Sequence, residues 1–442
     1  MTISERLNFR PDLLAVHHDQ PGCWPFLLAS TAGADNLGRW SLLLHAAGEP
    51  ALVKRPGDES SGFLDRLETQ WRQARSPATG SELPFTGGWF VFLGYELAGE
   101  IESCLNLPAA PGELPVALAH RCPAALLLDH RLGEFWLVAE SAELFGRLLD
   151  DLQRGSFEPL KDPGQSLNLA LEPAAGEEFT AGVRRIREYI LDGDVFQVNL
   201  SRRWRGESSD ELSPALLYKR LCANNAAPFA GLARLPGGTI LSSSPERLVE
   251  CRGGTVQTRP IAGTRPRGAS ADLDRSLSAE LIAHPKERAE HIMLIDLERN
   301  DLGRVCQTGS VRVDELMVVE SYAHVHHIVS NIRGRLRPEA TPIDVVRAVF
   351  PGGTITGCPK IRCMEIIADL EGEGRGFYTG AMGYLGLDGS MDLNILIRSM
   401  QVAGRRLSFR TGAGIVADSD PEAELAETGD KALGLLKALG HD

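Results

Sequence analysis

The sequence predicts a mixed α/β (α+β) chain, on three observations. Residues 1 to about 150 alternate short apolar runs with turn residues, the pattern of strands. Phe179, Val183, Ile186 and Ile190 then recur at helical spacing. Strand-like and helix-like stretches alternate from there onward. A length of 442 residues suits two or three ordinary domains or one large two-lobed unit.

Trp24–Ser30, Trp40–Leu44 and Gly87–Tyr95 read as strands, and Leu114–Leu118 and Glu134–Ala139 continue the pattern. Five of the six tryptophans fall in this part, which assigns it to packing. Residues 1–153 form the expected N-terminal β-rich lobe. The stretch 154–178, punctuated by Pro159, Pro163, Gly164, Pro173 and Gly176, is the expected linker, and 179–442 the C-terminal region.

Val195–Arg203 alternates as a strand, with Phe196, Val198 and Leu200 on one face and Gln197 and Asn199 on the other. Two amides on a strand face meet either solvent or a cleft. Glu246 follows a strand and Pro245; its plain alternative is a helix-start acid favoured by the macrodipole. Thr258–Gly268, with three arginines, reads as a rigid basic loop able to hold an anion or simply exposed. A helix from about Lys286 to Asp301 sets Glu287 and Glu290 one turn apart and turns Ile292, Ile295 and Leu302 inward. The strand period sends His324 and His326 to one face and His327 to the other, and a structural role is their default. Phe350–Lys360 is a glycine turn ahead of a helix beginning near Pro359, whose free N–H groups suit a carboxylate. Cys358 there has no base placed beside it. Tyr378 comes next. Arg398 ends an apolar strand, where burial calls for an anionic partner.

The last stretch, Arg410 to Lys431, organises the rest. A short apolar run enters a glycine turn at Gly412-Ala413-Gly414, Ser419 or Asp420 caps a helix, and Pro421 fits its first turn. Glu424, Glu427 and Lys431 share one face; Leu425, Ala432 and Leu436 lie on another. The match to G-x-G-x-x-A is no dinucleotide fingerprint, because the helix signal begins only at Ser419 and too little chain remains for a further βαβ unit. Two helices thus each carry two glutamates one turn apart, a donor set of hard oxygens suited to Mg²⁺. Solvated helix faces with an ordinary Glu427–Lys431 pair are the plain alternative.

The formal net charge of −13 weighs against a sequence-independent grip on nucleic acid or anionic membrane. No apolar run approaches the roughly 18–20 residues that span a bilayer, and the first residues lack the layout of a signal peptide. Eight scattered cysteines without a C-x-x-C pair fit the thiols of a reducing cytoplasm. A cytoplasmic protein with no nucleic-acid or membrane partner is the expectation.

Four long motifs carry a resemblance. They are the Pro260-Ile261-Ala262-Gly263-Thr264-Arg265 loop, Glu290-His291 through Arg299-Asn300-Asp301-Leu302, the Gly353-Thr354 to Lys360 turn, and Gly412-Ala413-Gly414 through Lys431. With them the chain resembles the chorismate-utilising enzymes, strongly from about Asp192 onward. It does so more loosely through Leu27-Leu28-Ala29-Ser30 and Gly94-Tyr95-Glu96. That family comprises the component I chains that form anthranilate or aminodeoxychorismate, and the isochorismate and salicylate synthases. The resemblance implies a two-lobed fold of large, mostly antiparallel sheets with flanking helices and a cleft between. It makes 179–442 a chorismate-binding catalytic region. It implies Mg²⁺ held by Glu290 and Glu427, with Glu287 and Glu424 beside them. That ion would clamp the ring carboxylate of chorismate with help from Lys431 and the Gly412, Ala413 and Gly414 backbone. Tyr378 and Arg398 would hold the enolpyruvyl carboxylate. Glu246 would protonate the leaving C4 hydroxyl, His327 and Thr354 would line the ring site, and Thr264 would belong to the catalytic loop.

Gln197 narrows the choice, because water-adding members carry a lysine base at that place and glutamine has no basic nitrogen. An ammonia-using transferase is then expected, fed by a separate glutaminase subunit. Within that group, Phe196–Arg202 and the N-terminal lobe resemble the aminodeoxychorismate-forming branch, on the route to 4-aminobenzoate and folate. Ala262 is the pattern of the alternative, the anthranilate-forming branch of the tryptophan pathway. It stands where a typical aminodeoxychorismate former has lysine. Ala29 replaces the glutamate of feedback-inhibited anthranilate formers, which weighs against tryptophan inhibition. A non-catalytic chorismate-binding relative would have lost the acid or the carboxylates, and none is lost.

Overall fold

Among the described residues, two antiparallel sheets, one of twelve strands and one of ten, are stacked face to face in the computed structural model. It describes residues 2–31, 38–58, 62–77, 80–164, 167, 169–268, 270–321 and 325–441, apart from the side chains of residues 264, 266, 271, 286 and 325. Ile3–Arg6, Phe26–Ala29, Trp40–His45, Ala124–Asp129 and Glu134–Ala139 enter the larger sheet, whereas Leu52–Lys54, Gly88–Leu93 and Ala117–Cys122 enter the smaller. The first 153 residues therefore share both sheets with the C-terminal region. Within 154–178, Leu169–Pro173 pairs with the strand Gln197–Ser208, and the helix Gly176–Leu191 begins.

Strand alternation decides what lies between the sheets. Phe26, Leu42, Leu44 and Leu127 of one meet Phe90, Phe92, Leu118 and Met382 of the other in one buried cluster, and the Phe26 and Phe90 rings stack at 3.8 Å. Each such side chain contributes about 1.5–3 kcal/mol by leaving water. Helices cover the outer faces. Phe145, Leu148 and Leu435, from the helices Ala142–Arg154 and Pro421–Ala438, pack on the larger sheet. Phe63, Leu67, Ile343 and Val346, from Phe63–Ala74 and Pro342–Val349, pack on the smaller. No helix among the described residues is long and apolar enough to cross a membrane.

Two neighbouring strands leave one sheet for the other together. Gly238–Ser244 of the larger sheet continues as Arg247–Arg252 of the smaller, and Met391–Ile395 of the smaller returns as Ser399–Ala403 of the larger. Their partnership spans the seam. Ser242 pairs with Ser399 before it and Arg247 with Asn394 after it. At the seam the Ser243 N–H donates to Arg398 O at 3.1 Å and the Ile395 N–H to Glu246 O at 3.0 Å.

Several expectations need correction. The glycines 412 and 414 form no turn. They lie inside the strand Arg406–Ile415, paired along Gln197–Ser208. Glycine reads as a turn residue, yet in a strand it also marks a close approach, and that is its use here. Thr258–Gly268 is not a loop, since Thr255–Thr258 and Ile261–Pro266 both pair with Val325–Arg335. Only Arg259 and Pro260 interrupt them. Glu246 starts no helix, because a strand comes directly after it. Ile292 points outward at 50% exposed, while Ile295 and Leu302 are buried. Phe196 precedes its strand and is 67% exposed, not part of the face formed by Val198 and Leu200.

Candidate active site

The seam between the sheets gathers the site. Glu246 sits in one crossing, 5% exposed, and burial raises its carboxyl to about 7. Thr354, the Ile261 backbone and the Lys431 ammonium pull that value back. Neither Glu246 Oε1 nor Thr354 Oγ1 has a hydrogen bond of good geometry, so the acid is held loosely by its neighbours. Arg398 sits in the other crossing, in a left-handed conformation at φ 51° that few arginines adopt. Burial lowers its pKa, and its guanidinium donates to the neutral Lys431 carbonyl at 2.5 Å. Tyr378 and Glu427 attract it from further off. A desolvated guanidinium on a neutral partner is suited to pairing with an anion.

The strand Arg406–Ile415 forms the floor. Ser201 sends its N–H to Glu371 and Asn199 its N–H to Thr356, away from this strand. The residues opposite them, Gly412 and Gly414, therefore turn their own N–H groups to the far edge. There the Lys431 ammonium donates to Gly412 O at 2.9 Å and pairs with Glu427 at 2.6 Å. Ala413, on the other face, is buried. A Cβ on Gly412 would meet Leu200 O at 2.6 Å and the Tyr378 hydroxyl at 2.8 Å. One on Gly414 would meet Gln197 Nε2 at 2.3 Å. Gly414→Ala is therefore expected to break the bond from Gln197 Nε2 to Glu290 Oε1, now 2.8 Å. Turnover should fall about a hundredfold with the thermal melt little changed, because a displaced reacting group costs rate more than stability.

The Pro285–Gly303 helix brings Glu290 to this floor. Burial raises its carboxyl, and the charges of Glu287 and Glu427 raise it further. Carboxylates of both helices thus feel one another across the cleft. Glu287 also meets Arg265 at 3.3 Å, and Glu424 lies on the helix capped by Asp420, half-buried. Among the described residues, no three acidic, His or Cys side chains are close enough to form a ready metal cage. The donors and their mutual repulsion nevertheless fit a hard divalent cation. His327 is buried and held neutral, its pKa lowered to about 4, with Nδ1 3.3 Å from Gly263 O. Ala262 is buried at a bulge opposite Ile328. The Thr264 side chain and all of His324 lie outside the described residues.

Residues 36–437 match the chorismate binding enzymes. The chain belongs to that family. It is 43% identical over 411 residues to an anthranilate synthase component I-like protein of Synechocystis sp., covering 91% of this chain and 83% of the relative. It is 40% identical to aminodeoxychorismate synthase component 1 of Bacillus subtilis, covering 87% and 84%. The fold matches anthranilate synthase component I from Streptococcus pneumoniae with a TM-score of 0.79 and 33% identity, over 90% of this chain and 92% of that one.

Sequence reasoning passed over part of what supports the site in this chorismate-family chain. Arg375, 2% exposed, donates to Asn199 O at 2.7 Å, Ile355 O at 3.1 Å and Thr379 Oγ1 at 3.3 Å, and lies over the Tyr95 and Tyr378 rings. Glu371 holds it at 2.7 Å and Arg410 at 2.8 Å, and also accepts from Ser201. No local pattern reports such a hub, because its partners come from distant segments. Removing one member leaves buried charge behind, so Glu371→Gln is expected to cost about 3–5 kcal/mol, read as a lower urea midpoint. A cavity of about 400 Å³ beside Ala29, Trp40, Glu250 and Asp392 is separate and includes neither Glu246, Arg398 nor Lys431. Charge and geometry, rather than volume, mark the site.

Proposed function

We propose that this chain is component I of an aminodeoxychorismate synthase, joining ammonia to chorismate to give 4-amino-4-deoxychorismate. The observation that carries the reading is the Gln197 amide bonded to Glu290. An enzyme that adds water needs a base there, and an amide is none. Ammonia is a nucleophile without such help. Chorismate is a dianion, and the seam offers cationic or N–H groups at two places. Arg398 and Tyr378 suit one carboxylate. Lys431 and the Gly412 and Gly414 N–H groups suit the other. Glu246, holding its proton to about 7, passes it to the C4 hydroxyl, which leaves as water. Ala262 places no amine at the ring, so an external nucleophile, ammonia or water, adds at C2 as the protonated C4 hydroxyl leaves, and departs again when ammonia adds at C4.

Glu290 and Glu427 would hold Mg²⁺, with Glu287 and Glu424 alongside. Bound there, the ion supplies positive charge to the ring carboxylate. The word component in the relatives' names supports a separate glutamine-hydrolysing subunit as the source of ammonia. Ala262 favours a second reading, an anthranilate synthase component I. Incubation with chorismate, Mg²⁺ and ammonium separates them. A product that a separate lyase converts to 4-aminobenzoate supports the first, and fluorescent anthranilate with pyruvate supports the second.

A further inference from the structure

The acids of the Pro285–Gly303 helix do not end at Glu290. Glu298 lies three helical turns beyond Glu287 and Asp301 one turn further, so the four carboxyls share one stripe. The far half of the stripe is more deeply buried, with Glu298 6% and Asp301 3% exposed. Glu298 Oε1 lies 3.7 Å from where a Gly353 Cβ would be, directly behind the turn that carries Thr354. Thr354 in turn adjoins Glu246. Thr258, at the end of its strand and 1% exposed, borders Glu298 on the other side. Lys360, from the helix Lys360–Glu371, donates to Asp301 Oδ2 at 2.5 Å. Its side chain is 14% exposed against 4% for Asp301, so it is the cluster's contact with solvent.

Three polar atoms here are buried without a good hydrogen bond: Glu246 Oε1, Thr354 Oγ1 and Thr258 Oγ1. Each hydroxyl stands beside a carboxyl, Thr354 at Glu246 and Thr258 at Glu298, without a well-formed bond to hold it in one arrangement. The groups facing Glu298 are Glu246, Asp301, Lys360 and the Thr258 hydroxyl. Burial and the charges of Asp301 and Glu246 raise its carboxyl to about 8, above Glu246.

We propose that Glu298 is a positioning residue that acts through Glu246, holding a proton beside it and returning that proton after each turnover. This rests on the reading of Glu246 as proton donor. When Glu246 has given its proton to the leaving hydroxyl, it is a buried carboxylate. The Glu298 O–H bond then breaks and an O–H bond forms on Glu246, with the Thr354 and Thr258 hydroxyls lining the way. The Glu298 carboxylate regains a proton from solvent at the Asp301–Lys360 end of the stripe. No net charge is left behind.

The test compares first and later turnovers. Wild type and Glu298→Gln are mixed rapidly with chorismate, Mg²⁺ and ammonium, and chorismate loss is monitored. Glutamine fits the same space but has no acid proton to return. The first turnover should proceed at the wild-type rate and the steady rate should drop about tenfold, giving a burst that wild type lacks. Glu298→Asp, an acid drawn back by one methylene, should give a smaller burst. Equal loss in both phases, or no loss in either, overturns the proposal. Should Glu298→Gln fail to melt as a folded protein, the presence or absence of a burst in Glu298→Asp decides alone. Failure of the wild type itself to consume chorismate would instead count against the function proposed above.

Discussion

Glu246→Gln is expected to lower turnover of chorismate by about a hundredfold to ten-thousandfold while binding persists. The amide keeps the shape of the carboxyl and loses the proton. Steady-state rates and a separate titration of chorismate binding check both halves of this. Unchanged turnover would remove Glu246 from the chemistry. A pH dependence accompanies it. The working form is the protonated acid, so wild-type activity should decline as pH rises through about 7. Stability should move the same way. Folded Glu246 keeps its proton to about 7, whereas an unfolded carboxyl releases it near 4.5. Between those values the folded state binds more protons, so stability is full below that window and falls as pH climbs through it, by on the order of 3 kcal/mol. Glu246→Gln should therefore melt higher than wild type above pH 7, as an enzyme that trades stability for a trapped proton would predict.

Arg398→Met is the second large effect. Methionine fills the space of the guanidinium and cannot answer a carboxylate. Loss of a buried charged contact costs about 2–4 kcal/mol, a factor of roughly 30 to 1,000 in affinity. The KM for chorismate should rise by that order, with kcat changed less. The free protein should lose little stability, because the hydrogen bond of Arg398 goes to a neutral carbonyl and the attraction of Glu427 acts from further off, against the cost of burying the guanidinium. An unchanged KM would move the carboxylate anchor elsewhere.

The legible parts of this site were those written in local spacing. The helix Pro421–Ala438 announced itself through Asp420, Pro421 and the alignment of Glu427 with Lys431, and the structure has that cap and that ion pair. Glu134–Ala139 kept its bounds because β-branched and aromatic residues agree with its pairing. Arg398 was readable only as a misfit, a charge where a strand should stay apolar. The glycines at 412 and 414 misled because entropy makes glycine a turn residue, while tertiary crowding by Tyr378 and Gln197 makes it a strand residue here. Glu298, Glu371 and Arg375 escaped notice because burial, not spacing, gives them their parts. The roles proposed for Glu246 and His327 rest on resemblance rather than pattern, since nothing local separates a working acid from an ordinary one.

The paired crossing of the two sheets bears on selectivity. Glu246 and Arg398 are pinned to each other's strands by main-chain bonds at Ser243 and Ile395. No side-chain rotation alters the distance between their backbones. On the function proposed above, the pair would act as a calliper with a fixed hinge, one jaw acidic and one cationic. A compound whose hydroxyl and distant carboxylate match that opening would then be gripped at both ends, and a longer or shorter homologue would engage a single jaw.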